Sequence, residues 1–341
     1  MDKRLILAVA GSGKTSYIIE QLDLEQRHLV ITYTINNLHN LKTRIIKKWG
    51  YFPENIRLFS YYNFLYAFCY KPYLHKKTSA KGVNFNPNRN RFARKLSRYL
   101  DAGGRLYSNR IPKFFEVEGV LTDIENRLSK YFDNILIDEI QDFGGHDFNF
   151  LKTLVKADAN IVFVGDFYQH TFDTSRDGSV NGRIHNDYLD YQGRFESMGL
   201  LSDTTRLIKS YRCSPTICNF ISDSLEINIE SHCDDETNIE FVDNQEDADK
   251  VFMNNDIVKI FYQEHYKYDC YSRNWGSCKG EDQYHDVCVV LNATALGKYK
   301  KGSLVELPPQ SKNKLYVALS RTRGNLYLIS DKLFKKYKIN N

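Results

Sequence analysis

Six consecutive residues carry the strongest chemical signal in this chain. Ala10-Gly11-Ser12-Gly13-Lys14-Thr15 directly follows the apolar run Leu5–Ala10. Gly11 and Gly13 let the backbone curl so that its amides point at phosphate oxygens, and Ser12 and Ser16 complete the set of residues expected around them. The Lys14 ammonium can reach β- and γ-phosphates, and the Thr15 hydroxyl can ligate Mg²⁺. A helix starting here would turn its positive end toward the anion. The usual first glycine of the eight-residue pattern would fall at Ala8, so the match is incomplete.

A second run, Ile135–Ile137, ends in Asp138-Glu139. Asp138 suits the outer side of a Mg²⁺ ion, and Glu139 suits orienting and polarising an attacking water. A third run ends in Val164-Gly165-Asp166-Phe167-Tyr168-Gln169. There Gln169 could sense a γ-phosphate, while Asp166 also suits a turn. Phosphoryl transfer needs charge neutralisation and an in-line water; Lys14, Thr15, Asp138 and Glu139 supply both. The chemistry expected is hydrolysis of a nucleoside triphosphate, with ATP and Mg²⁺ as the ligands.

These groups must be held by elements, and the first half of the chain alternates strands with helices. Leu5–Ala10, Leu29–Tyr33, Ile56–Ser60, Ile135–Ile137 and Ile161–Val164 are short, unbroken apolar runs. Such runs are expected where helices cover both faces of a parallel sheet. In a doubly wound sheet the carboxyl ends of the strands form the ligand edge. The second half is less regular. Asp286–Leu291 and Leu326–Ile329 are its clearest strands, and Tyr316–Arg323 reads as a helix stopped at Gly324. The fold class expected is α/β: two domains, each a mostly parallel sheet with flanking helices, over 1–200 and 201–341.

The 341 residues include 47 Lys+Arg and 42 Asp+Glu, a formal net charge of +5. With 42% hydrophobic residues, the chain can build real cores, which excludes disordered and fibrous classes. No apolar run approaches the length of a membrane span, and the amino-terminal apolar stretch is too short for a signal-peptide core. Seven scattered cysteines point to reduced thiols and a cytoplasmic protein. The small net charge hides two blocks. Lys71–Lys113 holds twelve Lys or Arg and one acid, Asp101, while Ile221–Lys250 holds eleven acids and one base. Phe85, Phe92, Tyr99 and Tyr107 interleave with the basic block, including Arg91, Arg94, Lys95 and Arg98. Cations beside aromatics suit single-stranded nucleic acid; a solvated helical face is the other reading. The acidic block reads as solvated surface or a subunit contact.

Taken together, the segments resemble superfamily 1 helicases of the UvrD/Rep type. Ala10–Thr15 is similar to Walker A, Ile31–Ile45 to motif Ia and Leu58–Leu65 to motif Ib. Leu136–Asp142 has the Asp-Glu-x-Gln-Asp form of Walker B, and Val164–Phe172 matches motif III. Ser210–Ile217, Ser277–Leu291 and Lys314–Ile329 resemble motifs IV, V and VI. The resemblance implies two RecA-like domains with ATP in the cleft between them. It implies that Arg212 and Arg321 are γ-phosphate arginines, that Gln169 links nucleotide state to strand position, and that Glu281 approaches the ribose. It also implies strand contacts from Thr34, Asn36, Ser60, Tyr61 and Phe172, though Tyr61 and Phe172 equally suit a core.

The sequence departs from the family in three places. The leading segment with an adenine-reading glutamine is absent, so either weak base discrimination or its replacement by a residue elsewhere is expected. The accessory insertions are reduced to about 67–130, basic, and about 222–271, acidic. In motif V, Lys279-Gly280-Glu281 is followed by Asp282-Gln283-Tyr284-His285 rather than the usual Glu-Phe pair. The function expected is an ATP-driven 3′-to-5′ motor on single-stranded or tailed DNA. The alternative is a nucleic-acid-stimulated ATPase switch, or a subunit of a nuclease or phage-defence complex, that does not unwind on its own.

Overall fold

The computed structural model describes residues 1–88, 90, 92–171 and 175–339. The chain divides into two compact units. The first comprises Met1–Leu7, Lys14–Gly165 and Asp173–Asp203; the second comprises Ala8–Gly13, Asp166–Phe172 and Thr204–Asn341.

The first unit is built on a six-stranded sheet. Its order is Ile56–Ser60, His28–Thr32, Asn134–Ile137, Asn160–Gly165, Lys3–Leu7 and Leu201–Asp203. Every pairing is parallel, and the register sets Ile31 beside Ile137 and Ile137 beside Phe163. Strand His28–Thr32 is buried throughout, and the apolar stretches Leu5–Leu7, Ile135–Ile137 and Phe163–Gly165 are buried beside it, as such runs require. Helix Ile35–Trp49 lays Leu41 and Ile45 inward, starts at Thr34, whose hydroxyl accepts from Asn37 N at 3.2 Å, and stops at left-handed Gly50. Helices Leu121–Tyr131 and Gly145–Lys156 pack on one another. The basic segment contains helix Lys71–Thr78, a two-residue parallel pairing of Val83–Asn84 with Leu106–Tyr107, a 3₁₀ turn at Lys95–Arg98 and helix Ile111–Val117.

The first strand differs from its expected span. It covers Lys3–Leu7 rather than Leu5–Ala10. Residues 8–10 are apolar for another reason: Val9 and Ala10 are buried in the core of the second unit.

That second unit holds a five-stranded parallel sheet in the order Ile239–Val242, Leu326–Ser330, Val287–Leu291, Val258–Phe261 and Ser272–Asn274. Successive side chains alternate between two cores. Val287, Val289 and Leu291 face a cluster containing Trp275, Ile217 and Tyr316, while Cys288 and Val290 face Phe252, Phe261 and Phe334. The acidic segment supplies the strands Ile239–Val242 and Val258–Phe261 of this sheet and the helix Gln245–Met253. The helix expected over Tyr316–Arg323 is Pro309–Leu319, so Arg321 lies just beyond its end. Gly324 serves close approach instead: a Cβ there would collide with His285 and Asp286. Among the described residues, no helix is long and apolar enough to cross a membrane. All seven cysteines are free thiols.

Candidate active site

Asp138 and Glu139 leave the carboxyl end of the strand Asn134–Ile137. Asp138 is 1% exposed, and its Oδ1 accepts the Glu139 amide at 2.9 Å. Glu139 sits in the left-handed region at φ 57°, a conformation that a non-glycine residue adopts only when its surroundings impose it. Those surroundings are visible. Asn37 Nδ2 donates to Glu139 Oε1 at 3.2 Å, and Gln141 Nε2 donates to Oε2. Gly165 admits this turn, since a Cβ there would strike Gln141 and Ile140. The carboxylate is thus bracketed by two amides and held in one orientation. Of the loop residues in this unit, Lys14, Thr15 and Ser16 are partly exposed, and Ser16 Oγ accepts from Arg44 Nη1 at 3.0 Å.

Within the second unit, residues 8–13 thread past the segment 207–212. Val9 N donates to Leu207 O at 3.0 Å, and Tyr211 N donates to Gly11 O at 2.9 Å. Ser12 Oγ donates to Val9 O at 2.8 Å, which folds the loop on itself. Gly11 has φ 72°, and a Cβ on it would lie 2.6 Å from Ser210 Oγ and 3.0 Å from Arg212 Cβ. Only glycine fits there, for conformation and for space. Ala10 N donates to Tyr316 Oη at 2.8 Å, and that hydroxyl donates to Asp166 Oδ2 at 3.1 Å. Asp166 also caps its own turn by accepting from Tyr168 N at 3.1 Å. Gln169 is buried on the same turn, its amide bonded to Asp166 O at 2.9 Å.

Arg212 and Arg321 come together in this unit. They are 8% and 1% exposed. Arg212 Nη1 donates to Ser320 O at 2.8 Å. Arg321 donates through Nε to Val317 O and through Nη1 to Glu281 O, both at 3.1 Å. Among the described residues, the one carboxylate they bond is that of Asp282, whose Oδ1 pairs with Arg212 Nη2 and lies 3.7 Å from Arg321 Nη1. Burial, followed by repulsion from Arg321, pulls Arg212 down to about 10. The Arg212 Nε is buried with no hydrogen-bond partner among the described residues. Two buried cations, one carboxylate and an orphan donor make a site with spare capacity for an anion. Glu281 is otherwise engaged: its carboxylate takes Arg273 Nε at 3.1 and 3.2 Å and the Tyr284 hydroxyl.

Of the strand-contact candidates, Thr34 and Asn36 are exposed at the start of their helix and Ser60 is partly exposed. Arg94, Lys95 and Arg98 are exposed on and beside the 3₁₀ turn. Arg91 and Phe172 lie outside the described residues. Tyr61 is corrected to a core residue. It is fully buried, 4.6 Å from the Phe143 ring and 5.6 Å from Tyr33, and a ring without an accessible face cannot stack on a base. Its neighbour Tyr62 bonds Tyr33 hydroxyl to hydroxyl at 2.7 Å and meets the exposed Phe85 edge-on at 5.0 Å. Behind them the buried Asp147 accepts from the Ser175 hydroxyl.

Several residues here were not singled out from the sequence. Asn37 and Gln141 orient Glu139, Tyr316 joins the loop to Asp166, and Asp282 pairs with the arginines. Tyr211 is 60% exposed and stacks on His232 with centroids 3.9 Å apart. All five stand inside the motif segments, which is a signal that was available. Their partnerships were not, because Asn37, Tyr316 and Asp282 act through partners distant in sequence.

Residues 66–173 match the family model for the UvrD/REP helicase N-terminal domain. No curated protein sequence matches the chain. Among solved structures, arterivirus nonstructural protein 10, a helicase, in complex with DNA aligns over 97% of this chain and 62% of its own, at 14% identity and a TM-score of 0.50. A second structure of the arterivirus helicase aligns over 98% and 62%, at 15% identity and a TM-score of 0.50. The chain therefore spans 62% of the length of these neighbours, and at such identity the likeness is one of fold. The resemblance to superfamily 1 helicases of the UvrD/Rep type is borne out, as is an α/β fold with RecA-like domains.

Proposed function

We propose that this chain is an ATP-driven translocase or helicase acting on single-stranded or tailed DNA, moving 3′ to 5′ as its resemblance implies. The observation that carries the reading is the buried arginine pair beside the glycine loop. Gly11 is packed against Arg212, and Arg212 and Arg321 together exceed the charge of their one carboxylate. A polyphosphate satisfies that excess; a neutral ligand does not.

The donor set also fits the ion that accompanies a nucleoside triphosphate. Thr15 and Asp138 offer a hydroxyl and a carboxylate, hard oxygen ligands of the kind Mg²⁺ prefers together with substrate phosphates. Among the described residues, no group of three His, Cys, Asp or Glu side chains could hold a metal alone, which is consistent with an ion that arrives with its nucleotide. When bound, Mg²⁺ supplies charge neutralisation at the β- and γ-oxygens. Lys14 adds a point charge there, Glu139 orients and polarises the attacking water, and Asn37 and Gln141 hold Glu139 in position. Tyr211 offers an exposed ring for the base, one residue from Arg212. A terminal phosphate that engages Arg212 and Arg321 loses that hold after hydrolysis, which ties chemistry to motion. Gln169 and Asp166, on one turn with the loop partner Tyr316, are suited to relay the change.

The test compares steady-state ATP hydrolysis with no polymer, single-stranded DNA, duplex DNA and RNA, alongside unwinding of a tailed duplex. Single-strand-stimulated hydrolysis with unwinding is the expected result. Stimulated hydrolysis without unwinding would assign the chain to the switch or subunit class. Hydrolysis indifferent to every polymer would overturn the nucleic-acid reading.

A further inference from the structure

Asp282 is the least committed member of the arginine site. Its side chain is 60% exposed, while those of Arg212 and Arg321 are 7% and 2% exposed. The other acceptors that these guanidiniums use are the backbone carbonyls of Ser320, Val317 and Glu281, which cannot leave. The Asp282 backbone is equally pinned. Its carbonyl accepts Arg323 Nε at 3.0 Å, and the preceding carbonyl holds Arg321. Only the Asp282 carboxylate can swing to water without moving the chain. It holds Arg212 through a single nitrogen, Nη2, and leaves Nε with no partner.

We propose that Asp282 is a built-in substitute for the terminal phosphate: it neutralises Arg212 and Arg321 when no triphosphate is bound, and the γ-phosphate of ATP displaces it from the same guanidinium nitrogens. This rests on the reading of the arginine pair as a γ-phosphate site. Two buried cations with no anion would repel one another and lose hydration without compensation. An exposed carboxylate relieves this at little cost to its own hydration, so it can also be released at little cost. A phosphate brings more charge and three acceptor oxygens, enough to satisfy both guanidiniums and the idle Nε. ADP has no such group and leaves Asp282 in place. The residue therefore lowers affinity for ATP while sparing ADP, and makes the second unit respond to phosphate number rather than to nucleotide alone. The position falls where the chain departs from the family pattern, directly after Lys279-Gly280-Glu281.

The experiment measures dissociation constants for ADP and a non-hydrolysable ATP analogue, together with KM and kcat, in the wild type, Asp282→Asn, Asp282→Ser and Asp282→Glu. Removing the competing charge should tighten analogue binding and lower KM for ATP about 3- to 10-fold in the Asn and Ser variants, with ADP unchanged. Asp282→Glu should stay near the wild type. Analogue binding that is unchanged or weaker in both neutral variants overturns the proposal, because a carboxylate that only braced the arginines would reduce affinity on removal. Arg321→Ala tests the underlying reading separately. If that variant keeps its preference for the ATP analogue over ADP, the arginines do not read the terminal phosphate, whatever Asp282 does.

Discussion

The acid edge of the first unit and the arginine pair of the second treat charge in opposite ways. Glu139 is fully bracketed: one amide donor on each carboxylate oxygen, a constrained backbone and a glycine that makes room for the turn. Arg212 and Arg321 are held just as firmly by backbone carbonyls, yet their charge is only partly answered, by one exposed carboxylate. The first arrangement is complete before any ligand arrives, as a group that must orient a water should be. The second is complete only with an added anion. A charge left under-compensated at neutral pH marks where binding energy is to be collected, while a charge fully compensated marks where geometry is to be kept.

The sharpest way to break this comparison is at Glu139. Glu139→Gln keeps the shape and one accepting oxygen, turns the other contact into one that needs its partner amide to flip, and removes the charge that polarises water. ATP turnover should fall about 10²- to 10⁴-fold with nucleotide binding retained. Near-normal steady-state hydrolysis would remove Glu139 from the reaction and leave the acid edge a structural device.

The next effect contrasts buried cations with exposed ones. Arg94, Lys95 and Arg98 carry the same sign as the arginine pair but stand in solvent. Replacing all three by Gln should weaken single-strand affinity by roughly an order of magnitude at moderate salt and flatten the slope of log affinity against log salt by about 2. The slope of ATP binding should not change. An unaltered strand slope, measured by fluorescence anisotropy across a salt series, would give the basic segment another task.

Asn37 tests whether bracketing matters by itself. Asn37→Ala removes one donor from Glu139 and leaves its charge intact. With orientation loosened, kcat should drop roughly tenfold while KM for ATP holds. A rise in KM with kcat unchanged would mean that Asn37 serves nucleotide binding instead.

How much of this was legible depended on what the chain hides from water. Four of the five apolar strands of the first half were readable because they are central in their sheet; Ile56–Ser60, an edge strand, was readable because it keeps apolar residues at Ile56, Leu58 and Phe59. The strands that were not readable are instructive. Leu201–Asp203, Ile239–Val242 and Ser272–Asn274 are all edge strands, where exposure permits polar residues and breaks the apolar run. Val258–Phe261 is buried throughout, yet carries Lys259, whose ammonium bonds the Asn254 carbonyl. Its sequence therefore looks like surface. The same logic applies to the site. Asp138, Glu139 and Lys14 stand out because their motifs are local. The pairing of Asp282 with Arg212, and of Tyr316 with Ala10 and Asp166, joins residues 70, 306 and 150 positions apart, and no spacing rule reaches that far. Tyr61 was ambiguous because an aromatic at a strand end suits both a base and a core; only its missing exposed face decides.

Asp147 supplies the remaining comparison, a buried carboxylate that no cation among the described residues answers. Burial pushes it up to about 7, although hydrogen bonding from Ser175 pulls the other way. In the unfolded chain an aspartate titrates near 3.9, so between about pH 4 and pH 7 the folded protein holds a proton that the unfolded chain has lost. Stability therefore falls as pH rises through that window, by at most about 1.4 kcal/mol per pH unit, and levels off above it. This is opposite in sign to a salt-bridged carboxylate. Asp147→Asn removes the titration and keeps an oxygen for the Ser175 hydroxyl. The variant should melt higher than the wild type at pH 8 and lose that advantage at pH 5, read as the difference in Tm between the two. An Asn variant that is less stable by the same margin at both pH values would mean that Asp147 is charged in the fold and answered after all. The acids Glu139 and Asp147 of the first unit would then both be answered, in contrast to the arginine pair of the second.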